Sequence, residues 1–239
     1  MIFEGKLGEQ PFSVRLLGLA DLSLIDSLQQ DVCAALADPN ILQPLSEAEL
    51  VNILGGNGLM IGAFIGERLI AFRALLQPEA GEDEHLGLDV GASDLSRVLY
   101  QEISNVHPDF RGFGLQKVLA RIIMEQVDVK RFDWVCATVM PYNIASLKDK
   151  FAQKMYVYAL KLKYGGKLRY VFGKQLNDEV SMVGESTVTV SMGDTKAQTL
   201  RRSTVYKIHN VTCHRILTSA HTHTYFARIY LLNSRYCTA

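Results

Sequence analysis

The feature that most restricts this chain is a sudden change of period between residues 98 and 127. Val98–Val106 alternates as a strand does, placing Val98, Tyr100, Glu102, Ser104 and Val106 on one face. Pro108 stops it, because proline has no N–H to give to a strand ladder. Gly112 and Gly114 follow. From Leu115 onward the apolar residues Leu115, Val118, Leu119, Ile122, Ile123 and Val127 fall on one helical stripe. A strand that turns on glycines straight into an amphipathic helix needs a sheet for the strand and a sheet face for the helix. The junction is also a chemical surface. The first turn of a helix carries free backbone N–H groups and a partial positive charge, and glycines let backbone approach a ligand closely. A diphosphate suits such a cradle, with Arg111 and Lys117 adding charge at its two ends. By itself the turn serves equally well as a plain connection without a ligand. It is no Walker-type loop, since no Gly-Lys-Ser/Thr ending follows, and it lacks the third glycine of a dinucleotide fingerprint.

Around this junction the pattern reads as a mixed α/β domain. Phe12–Gly18 is expected as the first strand. Asp21 or Ser23 caps a helix carrying Ile25, Leu28, Val32 and Leu36, and Ser46 with Glu49 forms a capping box for a short helix. Leu59–Ile65 and Leu69–Leu76 read as a hairpin turned at Gly66. Pro78–Asp94 is acidic and expected to be a solvated loop or short helix. Beyond the central junction come a strand at Trp134–Val139, a helix capped by Asn143, and a hairpin of Tyr156–Tyr164 with Leu168–Phe172 turned at Gly165-Gly166.

Two stretches together resemble a known family. Val106-x-Pro108-x-Phe110-Arg111-Gly112-Phe113-Gly114-Leu115-Gln116-Lys117 is similar to the acyl-CoA-binding motif of the GNAT superfamily, the Gcn5-related N-acetyltransferases, commonly written Arg/Gln-x-x-Gly-x-Gly/Ala. Gln116 stands where the final Gly or Ala is usual. About thirty residues on, Pro141-Tyr142-Asn143-x-x-Ser146 is similar to the family's Asn-x-x-Ala/Ser segment. The resemblance covers residues 10–175. It implies a mixed, mostly antiparallel central sheet flanked by helices, with residues 1–175 as the acyl-CoA-binding domain and 176–239 as an extension. It implies acetyl-CoA as co-substrate, an amine as acceptor, and direct attack of that amine on the thioester. The pantetheine arm would pair with backbone near Asn105 and Val106, the pyrophosphate would sit on amides across Arg111–Lys117, and Asn143 would hold the pantetheine arm.

Acyl transfer to an amine needs a neutral nucleophile and a proton for the leaving thiolate. Glu102 is the first candidate base, with His107 a weaker one. The family's usual acid, a Tyr about seven residues after the motif Asn, is replaced by Lys150, which leaves Tyr142 and Tyr156 as nearby phenols. Lys154-Met155 stands in place of the family's Gly-Phe. An alternative is a non-catalytic acyl-CoA-binding or regulatory module.

Charge sets the last segment apart. The 25 basic and 25 acidic residues cancel overall. Yet residues 196–239 hold seven Lys/Arg and no Asp or Glu, leaving a net of −7 in residues 1–195. Cys213-His214 and His221-x-His223 match no standard zinc spacing, so no metal is expected. A nucleic-acid surface, an interaction or swapped segment, or residues encoded after a reading-frame change remain as readings. The four cysteines fit a reducing interior. Residues 1–10 lack a secretory pattern, and the longest apolar run is far short of the ~20 residues of a membrane span. The expected location is therefore the cytoplasm. The acceptor and the oligomeric state, a homodimer included, stay open.

Overall fold

The computed structural model describes residues 1–38, 41–177, 185–191, 206–217 and 223–233, the last three segments by backbone course alone. Contacts divide the chain into two compact units: Met1–Asp83 with Asp94–Val135, and Glu84–Ser93 with Cys136–Ala239.

In the first unit the strands β1 (Phe3–Leu7), β2 (Gln10–Leu16), β3 (Gly58–Ile65), β4 (Arg68–Leu76) and β5 (Val98–Val106) lie side by side in that order, each antiparallel to the next. The expected first strand is β2. The strand before it, β1, went unread because it is short and mixes Glu4 and Lys6 with Phe3 and Leu7, an edge pattern. Helices α1 (Leu22–Ala34) and α2 (Glu47–Asn52) cover one face. Ile25, Leu28 and Val32 of α1 and Leu50 of α2 meet Met60, Phe64, Leu69, Phe72, Ala74 and Ile103 in one buried cluster. Helix α4 (Leu115–Glu125) packs on β3, β4 and β5 and buries Leu115, Leu119, Ala120, Ile122 and Ile123. Side chains alternate across a strand, and β4 shows it: Phe72 and Ala74 join the α1–α2 cluster, while Arg73 between them reaches α4.

The Ser46–Glu49 capping box forms as expected, with Ser46 N–H donating to Glu49 Oε2 at 2.7 Å and Glu49 N–H to Ser46 Oγ at 3.3 Å. Asp21 occupies the N-cap of α1 but makes no side-chain cap bond. Its carboxylate instead accepts two bonds from Arg15, at 2.7 and 2.9 Å, and one from Gly18 N–H at 3.0 Å. These bonds, led by that from Arg15, hold the Asp21 carboxyl below its ordinary value. A depressed carboxyl stabilises the fold above the unfolded pKa and loses that contribution as pH falls through the folded one. Asp21→Asn is therefore expected to cost about 1 kcal/mol at pH 7 by urea unfolding, discounted for the half-exposed arginine. The difference from wild type should shrink below about pH 4.

The second unit contains α3 (Leu86–Val90), the bulk of β6 (Trp134–Val139), α5 (Ile144–Ala152), and the antiparallel hairpin β7 (Tyr156–Lys163) and β8 (Lys167–Gln175). Gly165 and Gly166, at φ +74° and +96°, make the turn, a conformation side chains resist. Strand β10 (Tyr206–Leu217) pairs with β7 and with β11 (His223–Asn233), and β11 pairs with β9 (Glu185–Ser191). The readings of Cys213, His214, His221 and His223, and of the other side chains of 196–239, lie outside the described residues.

The acidic segment is not solvated throughout. Asp89 in α3 is buried beside Lys163 Nζ at 3.1 Å and pairs with Lys161, and Lys163 Nζ also donates to the Glu84 carbonyl at 2.6 Å. Two lysines of β7 thus convert this part of a charge run into a packed element.

Candidate functional site

The candidate site of the first unit begins where β5 ends. Two positive-φ glycines shape the turn, Gly112 at +88° and Gly114 at +76°, the latter serving as N-cap of α4. His107 starts it. Its Nδ1 accepts from Asp109 N–H at 3.2 Å, capping a short 3-10 turn over Pro108–Phe110, and its Nε2 lies 2.9 Å from Arg68 Nη2. That makes His107 a cap rather than a base.

The amides of the turn divide into two sets. Arg111 N–H donates to the Pro108 carbonyl, and the Lys117 and Val118 amides both close onto the Gly114 carbonyl. Between them, the amides of Gly112, Phe113, Gly114, Leu115 and Gln116 donate to nothing among the described residues. Consecutive open N–H groups at the head of a helix form an anion-binding concavity. Arg111 and Lys117 therefore come to this cradle through their side chains only. Arg111 Nε currently donates to the Val106 carbonyl at 3.4 Å, an acceptor that the resemblance gives to the pantetheine arm. Phe113 stands 54% exposed on the same turn.

Strand β5 differs from its expected alternation at the residue that matters most. Ile103 pairs with Ala74 and Gln101 with Leu75, so consecutive residues of β4 face residues two apart on β5. Glu102 is the extra residue of a β-bulge, a device that re-aims side chains. The alternation reverses there. Gln101 bonds Arg73 on the α4 side, whereas Ile103 enters the α1–α2 cluster. Ser104 stands opposite Arg73 rather than sharing a face with Tyr100, whose partner Leu76 packs on that cluster. The expected common face of Tyr100, Glu102 and Ser104 is thus corrected.

Water reaches the Glu102 side chain, yet protein crowds it closely. Burial first, then the negative charges of Glu49 in α2 and Glu82 after β4, push its carboxyl up to about 7. A carboxylate at that value is poised to accept a proton near neutral pH. Asn105 is 1% exposed, and neither of its side-chain amide atoms has a partner among the described residues.

Further candidates lie in the second unit. Asn143 caps α5, its Oδ1 accepting from Ser146 N–H at 3.0 Å, which leaves Nδ2 for another acceptor. Tyr142 beside it is 53% exposed. Lys150, at the position of the family's usual Tyr, is buried against Asp149 at 3.2 Å. Tyr156 is buried, and desolvation raises its phenol above the ordinary value. Among the described residues no group of His, Cys, Asp and Glu could hold a metal ion, and no helix is long and apolar enough to cross a membrane.

Arg73 and Gln101 were not expected at this site. The visible signal was a single charge inside the apolar run Leu69–Leu76.

Solved structures share this architecture. The chain is similar to the ribosomal-protein-S18-alanine N-acetyltransferase of Escherichia coli, at 16% identity and a TM-score of 0.52, over 72% of this chain and 96% of that one. It is similar to an acetyltransferase of the GNAT family from Streptococcus pneumoniae, at 13% identity and a TM-score of 0.53, over 70% and 99%. The chain has the GNAT fold. Arabidopsis thaliana NAA60, solved with acetyl-CoA, shares it at 18% identity and a TM-score of 0.55, over 70% of this chain and 99% of its own. No family model matches the sequence, and no curated protein matches it. At identities this low the likeness carries the GNAT architecture, and function rests on the site.

Proposed function

We propose that this chain is an N-acetyltransferase that moves an acetyl group from acetyl-CoA to a primary amine by direct attack. The observation that carries the proposal is the run of open amides from Gly112 to Gln116, set on two positive-φ glycines at the head of α4. Gly112, Phe113 and Gly114 are exposed, so a ligand reaches these donors directly, and a diphosphate fits that donor set in number and charge. The neighbours' chemistry agrees: several are acetyltransferases, and one was solved with acetyl-CoA.

Acetyl-CoA supplies the acyl carbon as an activated thioester. The residues of this chain do the rest. The amides of Gly112–Gln116 take the diphosphate, with the side chains of Arg111 and Lys117 at its two ends. Backbone at Asn105 and Val106 pairs with the pantetheine arm; in the second unit, Asn143, held by Ser146, keeps its Nδ2 as a donor for a pantetheine carbonyl. Glu102 removes a proton from the acceptor ammonium, so that the neutral nitrogen forms the new C–N bond as the C–S bond breaks. The phenol proposed to protonate the leaving thiolate is Tyr142; the acylated nitrogen sheds its second proton to solvent as it becomes an amide, and solvent restores the phenol. Residues 1–175 carry these groups, and the cytoplasm is the compartment assigned to the reaction.

Steady release of CoA thiol from acetyl-CoA, in the presence of a panel of primary amines, tests the proposal. Turnover with at least one amine is expected. Tight binding of acetyl-CoA with no turnover on any amine would favour a non-catalytic acyl-CoA-binding module.

A further inference from the structure

Arg73 is 1% exposed and heads the largest fully buried side chains of the first unit. It lies in the layer between β4 and α4, which α4 otherwise fills with Leu115, Leu119, Ala120, Ile122 and Ile123. A guanidinium stays charged at any pH a protein survives. Taking it out of water is costly, and an apolar side chain of similar size would fill the same layer without that cost. Its bonds indicate what the charge is for. Nη2 donates to Gln101 Oε1 at 2.7 Å, and Nη1 donates to the Gln116 carbonyl at 3.3 Å. Gln101 lies on β5, which enters the cradle turn, and Gln116 lies in the first turn of α4, which leaves it.

We infer that Arg73 is a positioning residue of the diphosphate cradle, a buried strut that ties β5 to the first turn of α4 and keeps the open amides aimed at one anion. The inference rests on the acyl-CoA reading given above. The planar fork of the guanidinium fixes the spacing of its two anchors, which the single point charge of a lysine would not do. Gln116 carries the last open amide, and its carbonyl, in the next peptide group along, is the one Arg73 holds, so the strut fixes the first turn of α4 one peptide plane beyond the cradle. The bulge at Glu102 serves the same arrangement. Were Glu102 paired in regular alternation instead of bulged, Gln101 would share the side of Ile103 and turn away from Arg73. The strut also sets a positive charge behind the head of α4, where low dielectric strengthens its pull on a bound phosphate.

The test compares two ligands on the full-length chain: CoA, and pantetheine, which has the same arm but no phosphate. Arg73→Met and Arg73→Lys are titrated with each, CoA by calorimetry and pantetheine by NMR shifts at millimolar concentration. Arg73→Met is expected to weaken CoA by about tenfold, the scale of one charge-assisted hydrogen bond, and to leave pantetheine unchanged. Arg73→Lys keeps the charge without the fork and is expected to fall between. It stands alone should the Met variant fail to fold. Equal loss for both ligands would show general structural damage and overturn the inference, as would wild-type CoA affinity in either folded variant. A wild-type chain that binds no CoA at all would instead overturn the acyl-CoA reading itself.

Discussion

Gly114→Val is expected to weaken CoA binding by about a hundredfold, or about 2.8 kcal/mol, while the fold survives. Gly114 sits at φ +76°. A residue with a Cβ costs roughly 1–2 kcal/mol in that region, and a β-branched one resists it most. Apart from its two chain neighbours, nothing among the described residues lies within 4 Å of an added Cβ, so the variant is strained without a clash and keeps most of a typical stability of about 5–15 kcal/mol. The loss falls on the ligand instead. Relief of the strain swings the peptide planes on either side of Gly114, and those planes carry open amides of the cradle. Gly8→Val is the control. Gly8 has φ +61° in the turn between β1 and β2, with equally open surroundings. It should show the same fall in urea midpoint and no change in CoA affinity. Equal CoA affinity in Gly114→Val and wild type would remove the turn from the binding site.

How much of this site the sequence makes legible follows from how local each feature is. The switch from alternating to helical period at Pro108 is local, and β5 and α4 lie close to where the pattern puts them, with α4 closing at Glu125 rather than reaching Val127. The positive φ of Gly112 and Gly114, the Ser46–Glu49 box and the Gly165-Gly166 turn are local as well. Features that depend on two strands at once are not readable in one. Whether Glu102 is an extra residue is a property of how β5 meets β4, so no inspection of Val98–Val106 alone reveals the bulge. Arg73 shows the opposite case: its charge stands out in an apolar strand, but only the approach of α4 explains it. Asp89 reads as one acid among many until Lys161 and Lys163 fold against it from far along the chain. His107 is a cap because of the turn after it, a role its identity does not distinguish from catalysis.

Glu102→Gln is expected to lower kcat by about a hundredfold or more, the usual worth of a general base, and to leave acetyl-CoA binding unchanged. The pH profile separates a base from a bystander. A carboxyl raised to about 7 is protonated and inactive below that pH and ionised above it. Wild-type kcat/KM should therefore rise with pH, at about tenfold per unit on the acidic limb, and bend near 7. The Gln variant should lack the bend. Glu82→Gln gives a milder test that leaves the base in place. It removes one of the two negative charges that raise the Glu102 carboxyl, so the bend should move to lower pH. Stability should respond in the opposite sense to activity. The folded carboxyl is raised above its unfolded value, so the folded state binds its proton more tightly and stability declines as pH climbs from about 4.3 toward 7. Glu102→Gln should then unfold at slightly higher urea than wild type above pH 7, by a margin that solvent at the exposed carboxylate keeps small. A wild-type rate in the Gln variant across pH 6 to 9 would remove Glu102 from the chemistry and leave the acceptor amine to lose its proton to water.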